Sequence, residues 1–205
     1  MFEKLLDFIF PLRSDEEVVR ALTLDQFLSF LEPRLEERTN PATIALLPFA
    51  ERRVRAAIHE AKYHGNVKAF DFLAAALIEY LRDDDRFDGL RDCVLLPIPL
   101  GAKRRRERGF NQAEEAARRA GKELGISVEH TLLVRTRETS SQVSLPRAAR
   151  VKNMQGAFST TRPASASITY IVLDDVTTTG ATLSAAITAL KAAGATSILP
   201  IALAH

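Results

Sequence analysis

Residues 168 to 186, ITYIVLDDVTTTGATLSAA, constrain this chain more than any other stretch. An apolar run from Ile168 to Leu173 ends on paired acids, Asp174 and Asp175. It then passes through Val176, Thr177, Thr178, Thr179, Gly180, Ala181 and Thr182 into an alanine-rich helical pattern. A buried strand feeding straight into a helix belongs to an α/β layer architecture, because both elements must cover one sheet. The helix start offers amide N–H groups without intrahelical acceptors, at the positive end of the dipole, and so favours an anion. Threonine hydroxyls add donors without bulk. The two carboxylates can accept from neighbouring sugar hydroxyls. The segment is thus expected to hold a ribose 5-phosphate by its two ends.

The rest of the chain repeats the alternation. CVLLPIPL from Cys93, TLLVRT from Thr131, the central ASITYIVLDD and the closing TSILPIALAH read as strands. GFNQAEEAARRAGKELG, with Asn111 as its cap, and GATLSAAITALKAAG, ended at Gly194, read as helices. Strands separated by helices predict a mostly parallel sheet covered on both faces, with ligands beyond the carboxyl ends of the strands. Upstream, a helix is expected from about Glu51 to Tyr63, closed by Gly65, and a second from Val67 to Arg82, with Phe70, Leu73, Ala74, Leu77 and Leu81 inward. The first forty residues read as helical, with Val18, Val19, Leu22, Phe27, Leu28 and Leu31 at helical spacing. Breaks follow at Asn40–Pro41 and at Pro48. This divides the chain into an N-terminal helical segment, 1–48, and a main domain, 49–205. The acidic run Asp83, Asp84, Asp85 and Asp88 reads as a solvated turn.

Several classes drop out. There is no G-x-x-x-x-G-K-[ST] and no G-x-G-x-x-G after a strand, so P-loop and dinucleotide readings lack their key residues. No apolar run is long enough for a membrane span, and the amino-terminal stretch lacks a signal-peptide cleavage pattern. The single cysteine, Cys93, permits neither an internal disulfide nor a cysteine-based zinc site, and reads as a small core residue in a reducing cytoplasm.

Charge is unevenly spread. Residues 1 to 40 hold nine acids against five bases, whereas residues 101 to 120 hold seven bases against three acids. The basic excess follows PIPLGAKRRR, where Pro99, Leu100, Lys103 and Arg104 leave a strand beside the expected phosphate site. Positive charge there suits a departing pyrophosphate, and equally a nucleic-acid backbone.

The motifs together resemble the type I phosphoribosyltransferases, which use phosphoribosyl pyrophosphate (PRPP), and within them the ComF family of competence and GntX-like proteins. The resemblance rests on Arg108, Gly109, Phe110, Asn111 and Gln112; on Arg135, Thr136, Thr139 and Gln142; on Leu145 and Arg150; on Lys62, Tyr63 and Gly65; and on the loop from Asp174 to Thr182. It covers about residues 49 to 205. Many family members begin with a cysteine-based zinc module, which this chain lacks, so no zinc is expected and the 1–48 segment stands in its place.

The resemblance implies a type I phosphoribosyltransferase fold and a Mg²⁺-dependent enzyme. Asp174 and Asp175 would serve as catalytic and metal-binding groups, with Asp175 favoured as general base. Val176, Thr177, Thr178, Thr179, Gly180, Ala181 and Thr182 would bind PRPP, and Pro99, Leu100, Lys103 and Arg104 would bind pyrophosphate. Arg108, Asn111, Gln112, Gln142, Arg147 and Arg150 would serve the acceptor or a flap over the ligand. The acceptor is an unidentified nitrogen nucleophile. Two rival readings remain: a PRPP sensor without turnover, and a non-catalytic accessory of DNA uptake that binds single-stranded DNA beside a competence-machinery protein. A homodimer and no membrane insertion complete the expectation.

Overall fold

In the computed structural model, residues 13–83, 92–138 and 147–205 are described. Their framework is a six-stranded sheet with strands β1 (Arg34–Glu36), β2 (Thr43–Leu47), β3 (Cys93–Pro97), β4 (Ser127–Val128), β7 (Thr169–Val176) and β8 (Ser197–Ala204). Its order is β1-β2-β8-β7-β3-β4, and every pairing is parallel except β1 with β2. The expectation of a mostly parallel α/β sheet flanked by helices therefore holds at this level.

Side-chain alternation explains why β7 sits near the middle. Successive residues of a strand point to opposite faces. Ile171 and Leu173 pack into one apolar cluster, and Tyr170 and Val172 into another on the far side. The first cluster is covered by α1 (Ser14–Ala21), α3 (Arg52–His59), α4 (Val67–Asp83) and α6 (Gln112–Leu124). The second is covered by α8 (Ala181–Ala192) and by a two-stranded antiparallel hairpin, β5 (Leu133–Arg135) with β6 (Phe158–Thr160). Helix α7 (Arg147–Met154) also packs on α8. The five residues expected inward on α4 are all buried.

Three departures carry physical content. TLLVRT does form a strand, but β5 pairs with β6 away from the main sheet. Residues 34–36 are strand where helix was expected: after α2 (Leu24–Leu28) the chain turns and pairs antiparallel to β2, with Leu35 left 59 % exposed. The run TIALL of β2, bracketed by prolines, is buried throughout and pairs with β8. Its five residues show no alternation because both faces are covered.

Candidate functional site

The site begins with the length of β7. The strand does not stop at Leu173 but runs on through both acids to Val176. Alternation therefore continues, placing Asp175 on the face of Ile171 and Leu173 and Asp174 on the other. Both still line one cleft of about 630 Å³ beyond the carboxyl ends of β3 and β7.

Asp175 is fully engaged. Its Oδ2 meets Lys62 Nζ at 2.9 Å and accepts from Gln112 Nε2, while its Oδ1 accepts from the Val176 amide at 2.8 Å. Burial raises its proton affinity, but the Lys62 charge and these donors outweigh that and hold the carboxyl below its ordinary value. The Lys62 ammonium is correspondingly held up: burial disfavours its charge, and Asp175 more than restores it. Asp174 has the opposite fate. Burial and the neighbouring Asp175 charge push it up to about 8. It accepts from the Asp175 amide at 2.9 Å.

Lys62 belongs to a π-helical turn, Glu60–His64, that continues α3 and ends on Gly65 at φ 62°. Such turns re-aim side chains by one position and recur at functional sites. Here the turn is pinned from three directions. Glu60, 1 % exposed, accepts from Arg13 Nε at 3.2 Å, Arg13 Nη2 at 3.0 Å and Asn66 Nδ2 at 3.1 Å. Phe110 sits where a Gly65 Cβ would come within 3.0 Å of its ring. The Arg108 guanidinium lies 5.3 Å from the Tyr63 ring centre. The Lys62–Tyr63–Gly65 and Arg108–Phe110–Gln112 motifs thus interlock around Asp175.

The turn after β7 is tightly specified. Gly180 has φ 74°, and a Cβ there would lie 2.8 Å from the Asn40 carbonyl oxygen, so both backbone conformation and space demand glycine. Gly180 also caps α8. The Thr177 amide is bonded to the Ala204 carbonyl at 3.0 Å, and the Ala181 amide to Thr179 Oγ1 at 3.3 Å. Of the predicted phosphate-binding residues, Val176, Thr178 and Thr182 line the cleft.

The cationic side comes from α5 (Ala102–Arg108). Four residues make just over one helical turn, so Arg104 and Arg108 share a face, and both line the cleft with Pro99 and Leu100. Among the described residues neither guanidinium has a carboxylate within ion-pair distance. Lys103, one step round the helix, is not in the lining: its side chain is 72 % exposed with Nζ 3.9 Å from Glu107, and its amide donates to Glu138 Oε1 at 2.9 Å. Lys103, expected beside Arg104, thus lies one step round the helix from the lining side chains. Arg135 joins Arg104 from β5; burial and the Arg104 charge hold its guanidinium below its ordinary value.

Asn111 lines the cleft with its side chain bonded into the fold. It is buried, caps α6 through Oδ1 to the Ala113 amide, and donates from Nδ2 to the Ile98 carbonyl at 2.8 Å. Gln112 is 2 % exposed; with Nε2 on Asp175, its buried Oε1 has no partner among the described residues. Gln142 lies outside the described residues, as do Thr139 and Leu145. Arg147 and Arg150 fall on α7. The base of the expected flap is tied together, with Arg137 donating to the Asn153 and Gln155 carbonyls at 2.8 and 2.9 Å. Cys93 is half-buried, and burial with the Asp92 charge pushes its thiol up, away from a reactive thiolate. Lys62 and Arg135 are site residues that carry no predicted role from the sequence; the signal for them is their place inside the family motifs.

Among the described residues no three His, Cys, Asp or Glu side chains converge on a metal site, and no helix is long and apolar enough to cross a membrane.

No family model matches the chain. The chain is similar to the DNA utilization protein YhgH of Salmonella typhimurium, Shigella flexneri and Escherichia coli K12, each 28% identical over 127 residues. The matched stretch is 62% of this chain and only 56% of each relative.

Proposed function

We propose that this chain is a ComF-type phosphoribosyltransferase that binds PRPP with Mg²⁺ and transfers the phosphoribosyl group to a nitrogen acceptor. The observation that carries the reading is the convergence of two acids, a threonine–glycine turn and an Arg104–Arg108 face, without a carboxylate partner among the described residues, on one cleft at the carboxyl edge of a parallel sheet. A sugar diphosphate needs these three chemistries together: hydroxyl acceptors, an anion-binding helix start and a cationic wall.

In this reading the 5-phosphate docks at the start of α8, and the ribose hydroxyls face Asp174. Arg104 and Arg135 receive the pyrophosphate. The acceptor nitrogen forms its bond to the anomeric carbon as the bond to the pyrophosphate oxygen breaks, with the electron pair leaving on pyrophosphate. The nitrogen's proton passes to the Asp174 carboxylate. This moves the base from Asp175 to Asp174, because Asp175 is committed to Lys62 and Gln112. A carboxyl whose proton affinity lies near neutrality suits that exchange. Asp174, whose carboxylate Lys62 does not occupy, would be the group to meet Mg²⁺ directly or through water, because Mg²⁺ prefers oxygen and retains several waters. Mg²⁺ carried on the substrate phosphates would neutralise charge developing on the leaving group. Lys62 holds Asp175 in place, and Gly180 fixes the turn.

A thermal-shift titration tests the reading. PRPP with Mg²⁺ should raise the melting midpoint, Asp174→Asn should abolish the rise, and pyrophosphate should appear once an acceptor is supplied. Stabilisation without pyrophosphate release across a broad acceptor screen would favour a sensor instead.

A second reading follows the relatives, whose name is DNA utilization protein. The basic helix α5, which carries Arg104, Arg105 and Arg106, suits a nucleic-acid backbone, and a role beside DNA uptake would place single-stranded DNA along it. Its affinity should fall steeply with salt and with loss of those arginines. An affinity indifferent to both would remove it.

A further inference from the structure

We propose that the outer half of the cleft, where Arg108 lies over Tyr63, is a subsite for a planar aromatic carboxylate. It is the acceptor side of the transfer proposed above and rests on that reading for its role.

Tyr63 is 55 % exposed and is the one aromatic ring among the large exposed hydrophobic residues described. It stands at the rim of the cleft, held by the π-helical turn rather than left to wander on a loop. Arg108 is 5.3 Å from the ring centre and His59 meets the ring edge-on at 5.6 Å between centroids. The cleft mouth thus offers a half-exposed aromatic ring with a guanidinium over it. Among the described residues that guanidinium has no carboxylate partner, while other arginines of the same stretch, such as Arg105 and Arg119, are paired with glutamates.

An aromatic platform selects a flat ring, and a guanidinium beside it selects a planar anion at that ring's edge. A neutral ring would leave Arg108 without a counter-charge. Of the other cations in the lining, Lys62 is matched by Asp175, and Arg104 and Arg135 are given to the pyrophosphate in the reading above, so Arg108 carries the selection.

Benzoate and benzamide test this on the full chain, because they are close in shape and differ in charge. Ligand-observed NMR titrations should show benzoate binding at least about threefold tighter, the scale of one solvent-screened charge pair. Arg108→Gln should erase that difference while leaving benzamide binding intact. Tyr63→Ala should weaken both ligands, and Tyr63→Phe should restore them. Equal affinities, or a benzoate preference that survives Arg108→Gln, would overturn the proposal. So would a single-stranded oligonucleotide that binds through Arg108 and Tyr63 when benzoate does not. PRPP and Mg²⁺ are titrated in parallel. PRPP binding without benzoate binding overturns the subsite alone, whereas benzoate binding without PRPP binding upholds the subsite and removes the transferase reading.

Discussion

Asp174 and Asp175 are neighbours in sequence with opposite proton affinities, and the cause is strand geometry. Because β7 continues through them, one carboxylate reaches Lys62 and Gln112, and the other does not. This predicts a pH signature. A free aspartate titrates near about 4, whereas native Asp174 keeps its proton up to about 8. Between those values the folded state binds more protons than the unfolded one, so this residue's effect on stability worsens as pH rises and levels off above the upper value. Asp174→Asn should therefore melt at a higher temperature than the wild type at pH 8. Its advantage should shrink toward pH 4, as read by calorimetry across that range. An advantage that stays flat with pH would contradict the assignment. The partner residue behaves differently. Lys62→Met leaves Asp175 partly buried without its counter-charge and should cost about 1–3 kcal/mol in urea unfolding. The double variant Lys62→Met, Asp175→Asn should recover part of that loss.

At the scale of elements, the site is an assembly of turns held by specific contacts. Gly180→Ala meets both a left-handed backbone and the Asn40 carbonyl, and should destabilise by more than about 1 kcal/mol. Asn111→Ala removes the α6 cap and the bond to Ile98, and should cost about 1–2 kcal/mol without altering the charge of the cleft. Denaturant midpoints check both. Much of this level was legible beforehand, because it depends on local signals. The cap at Asn111, the glycine closing the turn after Tyr63, and the inward stripe of α4 follow from spacing and residue type. Other features depend on partners far along the chain. Nothing local in TIALL announces a sheet strand, because a run buried on both faces has no period to read. Nothing in Lys103 and Arg104 separates them except the phase of the helix that carries them. The pairing of Lys62 with Asp175 spans more than a hundred residues and becomes visible only in the fold.

For the whole molecule, the sheet brings the carboxyl ends of β3 and β7 together and seats the acidic pair, the threonine–glycine turn and the α5 cations around one cleft. The N-terminal part contributes twice: β1 and β2 extend the sheet, and Arg13 braces the turn that carries Lys62. The two proposed readings, phosphoribosyl transfer and single-stranded DNA binding, differ in the ligand they assign to this chain. A calorimetric titration of PRPP and Mg²⁺ into the intact chain separates them most directly. The account predicts saturable one-to-one binding that needs Mg²⁺, tightens from pH 6 to pH 8 as Asp174 gives up its proton, and vanishes in Asp174→Asn. Absence of binding heat, or binding that survives both Mg²⁺ removal and Asp174→Asn, would contradict it.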